Sequence, residues 1–105
     1  MIIYGLKTCD TCRKARKALP EATFVDVRDE GLPAETRAAA LATFGDALVN
    51  TRSTTWRGLS AAERDAAPEA LLSDHPTLMK RPLIALDEST LLLGWDAEVR
   101  SRLGL

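Results

Sequence analysis

The sequence predicts an α/β fold in which a small mixed sheet carries helices on its faces. Three observations carry that prediction. The first 44 residues pass twice from a short apolar run to a helical pattern. Residues 83–93 hold two apolar runs parted by a polar triplet, and the stretch between is polar or alanine-rich without any strand-like alternation. The resulting order is β-α-β-α, then short helices, then β-β-α. A parallel crossover is expected in the first half and an antiparallel hairpin in the second. At 105 residues the expectation is one domain spanning 1–105.

Met1, Ile2, Ile3 and Tyr4 form a β-branched and aromatic run closed by Gly5, which predicts a buried strand and a turn. From Asp10 the chain is rich in helix formers, with Cys12, Ala15 and Leu19 near one face before Pro20 stops the helix. Residues 23–27 predict a second strand, with Val25 and Val27 on its buried face and Phe24 and Asp26 on the more exposed one. A polar stretch follows at 28–31. Pro33 then stands ahead of an alanine-rich helix over 34–44, in which Leu41 and Phe44 lie about one turn apart and which Gly45 terminates.

Residues 46–59 break both periodicities, and 50–58 have the polarity of a loop. Because this loop carries Arg52, Trp56 and Arg57, it is a candidate binding element. Ser60 with Glu63 is a capping-box signature that starts a short helix to about Ala66. Further short helices are expected over 69–73 and 75–79. Pro82 ends any helix before it and biases Arg81 toward an extended backbone. Residues 83–87 and 90–93 predict two strands joined by the turn Asp87-Glu88-Ser89. A terminal helix follows over 96–103, with Asp96 as its cap and Val99 and Leu103 four apart.

Fourteen Lys and Arg face fifteen Asp and Glu, a net charge of -1, so no global positive field gathers nucleic acid. No stretch approaches the roughly 20 apolar residues that cross a bilayer, and the N-terminal run is too short for a secretion signal. The expectation is a cytoplasmic monomer without nucleic-acid or membrane partners. A metal centre is not expected, since two cysteines and the single His75 do not supply four protein ligands. No phosphate-cradling glycine fingerprint is present, and His75, beside Pro76, reads as a helix-start or surface residue.

Cys9 and Cys12, the only cysteines, form a C-x-x-C pair where strand gives way to helix. In a reducing compartment such a pair points to catalysis or regulation. A thiolate at Cys9 meets unpaired N–H groups and the positive end of the helix, so its pKa is expected below the free-thiol value of about 8.5. Lys7 and Arg13 are expected to push the same way and Asp10 against. Cys12, one turn on, is expected to be the more buried sulfur and the resolving thiol. Arg81 enters the third strand from the polar middle. From there its guanidinium could reach the Cys9 turn and favour a thiolate or hold an oxyanion.

Three ordered blocks carry a family resemblance. They are residues 4–15 around Tyr4-Gly5-Leu6-Lys7-Thr8-Cys9, residues 48–57 around Asn50-Thr51-Arg52-Ser53-Thr54-Thr55-Trp56-Arg57, and His75-Pro76-Thr77-Leu78-Met79-Lys80-Arg81-Pro82. On these the chain resembles the arsenate reductase-like (ArsC/Spx) family, most closely its small YffB-like thiol-reductase-like subgroup. The resemblance implies a thioredoxin-like fold with a small mixed four-stranded sheet and an inserted helical segment. It also implies Cys9 as the reactive thiol, Arg81 beside it and a cis Pro82 facing it.

The function implied is a thiol-dependent oxidoreductase with no tightly bound cofactor, taking glutathione or a small thiol as co-substrate and glutaredoxin as a partner. Lys7, Arg13, Arg52, Arg57 and Pro82 are the candidate substrate-binding residues. The alternatives are an Spx-like redox-sensitive regulator that binds protein, whose second switch cysteine Cys12 matches, and an arsenate reductase. The chain departs from true arsenate reductases at Leu92-Leu93-Gly94-Trp95-Asp96, which lacks an oxyanion-binding arginine, and at Asn50-Thr51-Arg52.

Overall fold

A computed structural model describes residues 1–105. In chain order its elements are β1 (Ile2–Gly5), α1 (Asp10–Ala18), β2 (Thr23–Asp26), α2 (Val27–Glu30), α3 (Ala34–Phe44), α4 (Thr54–Arg57), α5 (Ala61–Arg64), α6 (Pro68–Asp74), β3 (Leu83–Ala85), β4 (Leu91–Leu93) and α7 (Ala97–Arg102). Single 3₁₀ turns lie at Gly45–Leu48 and Pro76–Leu78. The chain forms two compact units, one from Met1–Glu30 with Arg81–Leu105 and one from Gly31–Lys80.

The first unit is built on a mixed four-stranded sheet in the order β2-β1-β3-β4. The β-α-β crossover makes β1 and β2 parallel, with Ile3 opposite Phe24. The other two pairs are antiparallel, with Ile3 opposite Ile84 and Ile84 opposite Leu92. These three side chains, sharing one face of the pleat, bury against Ala15 of α1 and Val99 of α7. Leu19, Phe24, Trp95 and Leu103 close around them. Burying five such side chains is the main force holding α1, and so the C-x-x-C pair, in place. The terminal helix starts as the sequence predicts, with Val99 N–H donating to Asp96 Oδ1 at 2.9 Å.

The second unit is helical. The alanine-rich α3 ends at Gly45, whose φ of 59° lies in the left-handed region that glycine alone enters without strain. Ser60 and Glu63 form the complete capping box at the start of α5. An isolated bridge pairs Val49 with Met79, and Asn50 N–H donates to Leu78 O at 2.7 Å.

Four expectations are corrected. Phe24, expected on the more exposed face of the second strand, packs against the core cluster. Residues 54–57, read as loop, form α4, because Ser53 accepts from Trp56 N–H at 3.1 Å and caps one turn. The polar stretch after β2 is likewise helical over Val27–Glu30. Asp26 is buried, not exposed, because its carboxylate is satisfied by the backbone around it. Lys7 N–H donates to Oδ2 at 3.0 Å and Arg28 N–H to Oδ1 at 2.9 Å.

Candidate active site

Cys9 is the N-cap of α1, with extended backbone angles and a half-buried thiol. Its own N–H donates to Leu6 O at 3.1 Å, so Leu6 to Cys9 form a closed turn that leads from β1 into α1. Asp26 clamps the middle of that turn through Lys7 N–H, and Arg13 closes it from the other side by donating from Nε to Lys7 O at 3.1 Å. Burial holds the Asp26 carboxyl up, but the amides of Lys7, Arg28 and Asp29 outweigh it and keep the group below its usual range. It is therefore an anion at neutral pH.

Cys12 is fully buried one turn into α1. Its side chain lies against β1 at Gly5, where a Cβ would collide with Cys12 Sγ and come within 3.3 Å of its Cβ. Any residue larger than glycine at position 5 would therefore displace the second sulfur. Both cysteines are free thiols, and the Cys12 thiol interacts directly with the Cys9 sulfur.

The two sulfurs are driven apart in acidity. At Cys9 burial pushes the pKa up. The Cys12 amide, the Cys12 thiol and the Arg81 guanidinium each favour the thiolate, and together they bring the value below that of an ordinary thiol. At Cys12 burial dominates and pushes the thiol up to about 12. The Leu6 amide partly offsets that, while the adjacent Cys9 sulfur adds to it. One sulfur is thus poised to lose its proton and the other to keep it.

The structure brings Cys9, Cys12 and Arg81 together. The Arg81-Pro82 peptide bond is cis, Pro82 is buried, and its carbonyl accepts from Gly94 N–H at 2.8 Å. Lys7 Nζ is engaged by Asp29 at 3.0 Å and Arg13 by Asp10 at 3.4 Å. The cation acting on the Cys9 sulfur is Arg81, where the sequence pointed also to Lys7 and Arg13. Arg52 and Arg57 belong to the helical unit, Arg57 on α4 and Arg52 just before it. No three His, Cys, Asp or Glu side chains converge as a metal-holding set.

Two residues of this site escaped the sequence reading, Gly5 and Asp26. The signal for Asp26 was present: a charged residue inside an apolar strand run demands partners once buried.

A family model described as the ArsC family matches residues 4–102. The chain belongs to the ArsC family. An uncharacterised protein of Haemophilus influenzae (strain ATCC 51907 / DSM 11121 / KW20 / Rd) is 39% identical over 99 residues, covering 86% of this chain and 87% of its own. Among solved structures, the YFFB protein is similar at 29% identity and a TM-score of 0.85, with 96% of each chain covered. An arsenate reductase (ArsC) related protein from Brucella melitensis is 34% identical with a TM-score of 0.70, covering 96% of this chain and 91% of that one. The fold is thus thioredoxin-like α/β with a mixed four-stranded sheet. Membership of the ArsC family supports a thiol-dependent redox role in general terms. No helix is long and apolar enough to cross a membrane.

Proposed function

We propose that the protein is a thiol-dependent oxidoreductase that reduces small disulfides or thiol conjugates with glutathione as co-substrate, Cys9 being the nucleophile and Cys12 the internal resolving thiol. The observation that carries this reading is the half-buried Cys9 sulfur at a helix start, held acidic beside Arg81 and touching a protonated Cys12.

In the first step the Cys9 thiolate attacks one sulfur of a disulfide. The substrate S–S bond breaks, a Cys9 mixed disulfide forms, and the other half leaves as a thiolate that takes a proton from water. That step removes the Cys9 anion, one of the influences holding the Cys12 proton. Cys12 then loses its proton to solvent and attacks Cys9 Sγ, releasing the second substrate thiolate and leaving a Cys9–Cys12 disulfide. Two glutathione molecules return the pair to dithiol by two successive exchanges and leave as glutathione disulfide, so two electrons enter and two leave. Because burial keeps Cys12 weakly acidic even then, direct attack of glutathione on the mixed disulfide competes with it near neutrality.

The test is turnover of a small disulfide with glutathione, with and without glutaredoxin, in wild type, Cys9→Ser and Cys12→Ser. The reading expects no turnover in Cys9→Ser, and slowed turnover with an accumulating glutathione adduct in Cys12→Ser. Unchanged turnover in Cys9→Ser overturns it. The contact between the two thiols also favours a second reading, a protein-binding redox switch, because a Cys9–Cys12 disulfide would remodel the first turn of α1. Oxidation-dependent capture of a protein partner without turnover would select that reading.

A further inference from the structure

The exposed side of α1 carries charge that the chemistry at Cys9 does not use. Arg13, Lys14, Arg16 and Lys17 are all exposed, and Asp10 is the only acid on the helix. At about 100° and 1.5 Å per residue, Arg16, Arg13 and Lys17 fall within an arc of about 100° that includes Cys9. They stand roughly 6 to 12 Å along the helix from it. The three cations border a groove of about 570 Å³ between α1 and the edge strand β2, with Leu19, Pro20, Ala22 and Phe24 as its apolar lining. Arg16 is set over the Phe24 ring, its guanidinium carbon 4.2 Å from the centroid, which holds that charge at the sheet edge. Arg13 is partly neutralised by Asp10, leaving Arg16 and Lys17 as the stronger anion sites.

A chain with net charge -1 that gathers four cations on one nine-residue helix, three of them on the side that carries its reactive thiol, presents a local field that its overall charge conceals. An extended peptide rises about 3.3 Å per residue, so an offset of roughly 6 to 12 Å along the helix from Cys9 corresponds to carboxylates about two to four residues from a bound cysteine.

We propose that this groove recognises anionic peptide disulfides, seating carboxylates near the substrate cysteine on Arg13, Arg16 and Lys17 and apolar atoms on Phe24. The proposal rests on Cys9 as the exchanging thiol and adds the class of substrate that reaches it. The exchange is the one already written: the peptide S–S bond breaks, the Cys9–peptide disulfide forms, and the released thiolate is protonated by water.

The probes are two hexapeptide disulfides identical except that glutamates at the second and third residues after the cysteine become lysines, with glutathione disulfide as a third. Second-order exchange rates at Cys9 are measured at low and high salt in wild type and in Arg16→Glu/Lys17→Glu, each normalised to alkylation by neutral iodoacetamide. The expected result is an acidic-over-basic preference of about tenfold at low salt that salt compresses and the double variant reverses. If glutathione disulfide shares the dependence on Arg16 and Lys17, the ligand is a free short peptide. If only the hexapeptide does, it is an acidic segment of a partner. Equal normalised rates for the two hexapeptides in wild type overturn the proposal. Binding of the acidic hexapeptide with serine for cysteine gives a readout independent of chemistry. Absent exchange with salt-sensitive binding would sink the oxidoreductase reading alone, and absent binding together with absent exchange would sink both.

Discussion

At Cys9 burial opposes the thiolate, and three donors overcome it: the Cys12 amide, the Cys12 thiol and Arg81. Each side-chain donor can be removed separately. Arg81→Gln is expected to move the inflection of the Cys9 alkylation rate to higher pH and to lower the rate at neutral pH. Cys12→Ala is expected to do the same, although it removes a competing thiol, because it removes a hydrogen bond to the anion. Cys12→Ser, which keeps an O–H donor at that position, should retain more of the acidity than Cys12→Ala. Alkylation followed site by site by mass spectrometry checks all three. An inflection unmoved in both Arg81→Gln and Cys12→Ala would show that neither group sets the acidity.

At the scale of elements, β1 and β2 serve the site as much as the sheet. Gly5→Ala drives a Cβ into Cys12 Sγ and should cost about 1–3 kcal/mol of stability. Cys12→Ala should relieve most of that, so the double variant is less destabilised than the sum of the two. Denaturant unfolding of the four proteins measures the coupling, and additivity would contradict the close approach. Asp26→Ala leaves the Lys7 and Arg28 amides without their acceptor and should cost about 1–3 kcal/mol by the same measurement, with Asp26→Asn milder. The depressed Asp26 pKa contributes stability above the ordinary carboxylate range, and that contribution is lost as pH falls through the folded value.

These are also the places where the sequence was least legible. The apolar runs of β1, β3 and β4, the capping box at Ser60 and the Asp96 cap are local patterns whose partners lie within a turn, and they read correctly. Alternation placed Asp26 outward together with Phe24, and both turn inward in the structure. What stabilises Asp26 there is a pair of amides, one of them nineteen residues away at Lys7. The turn of α4 was missed because four residues are too few to show a period, and only the Ser53 cap marks it. C-x-x-C singled out the two cysteines, the place of Arg81 just ahead of the third strand singled out the guanidinium, and the resemblance supplied the cis Pro82. Gly5 was read as the end of a strand, since the sulfur it makes room for returns through the chain's tertiary path.

For the whole molecule, the sheet unit is assembled from the two ends of the chain, and Arg81 is the first residue of its second half. The donor that helps to ionise Cys9 therefore enters the site only when the chain returns from the helical segment to β3. Folding and thiol acidity are linked through Cys12. Its pKa rises from 9.0 to about 12, so between those values the folded protein holds a proton that the unfolded chain has released. Stability therefore falls as pH rises through that window, and Cys12→Ala should flatten this part of the profile. Urea midpoints at successive alkaline pH values compare the two.

The central claim is an acidic Cys9 beside a protonated Cys12. Its most direct measurement is the titration of thiolate ultraviolet absorbance in the reduced wild type, Cys9→Ser and Cys12→Ser. The account predicts one ionisation below the free-thiol range in wild type, absent from Cys9→Ser and retained in Cys12→Ser. Two thiols ionising together in the ordinary range, or an acidic step that survives in Cys9→Ser, would contradict it.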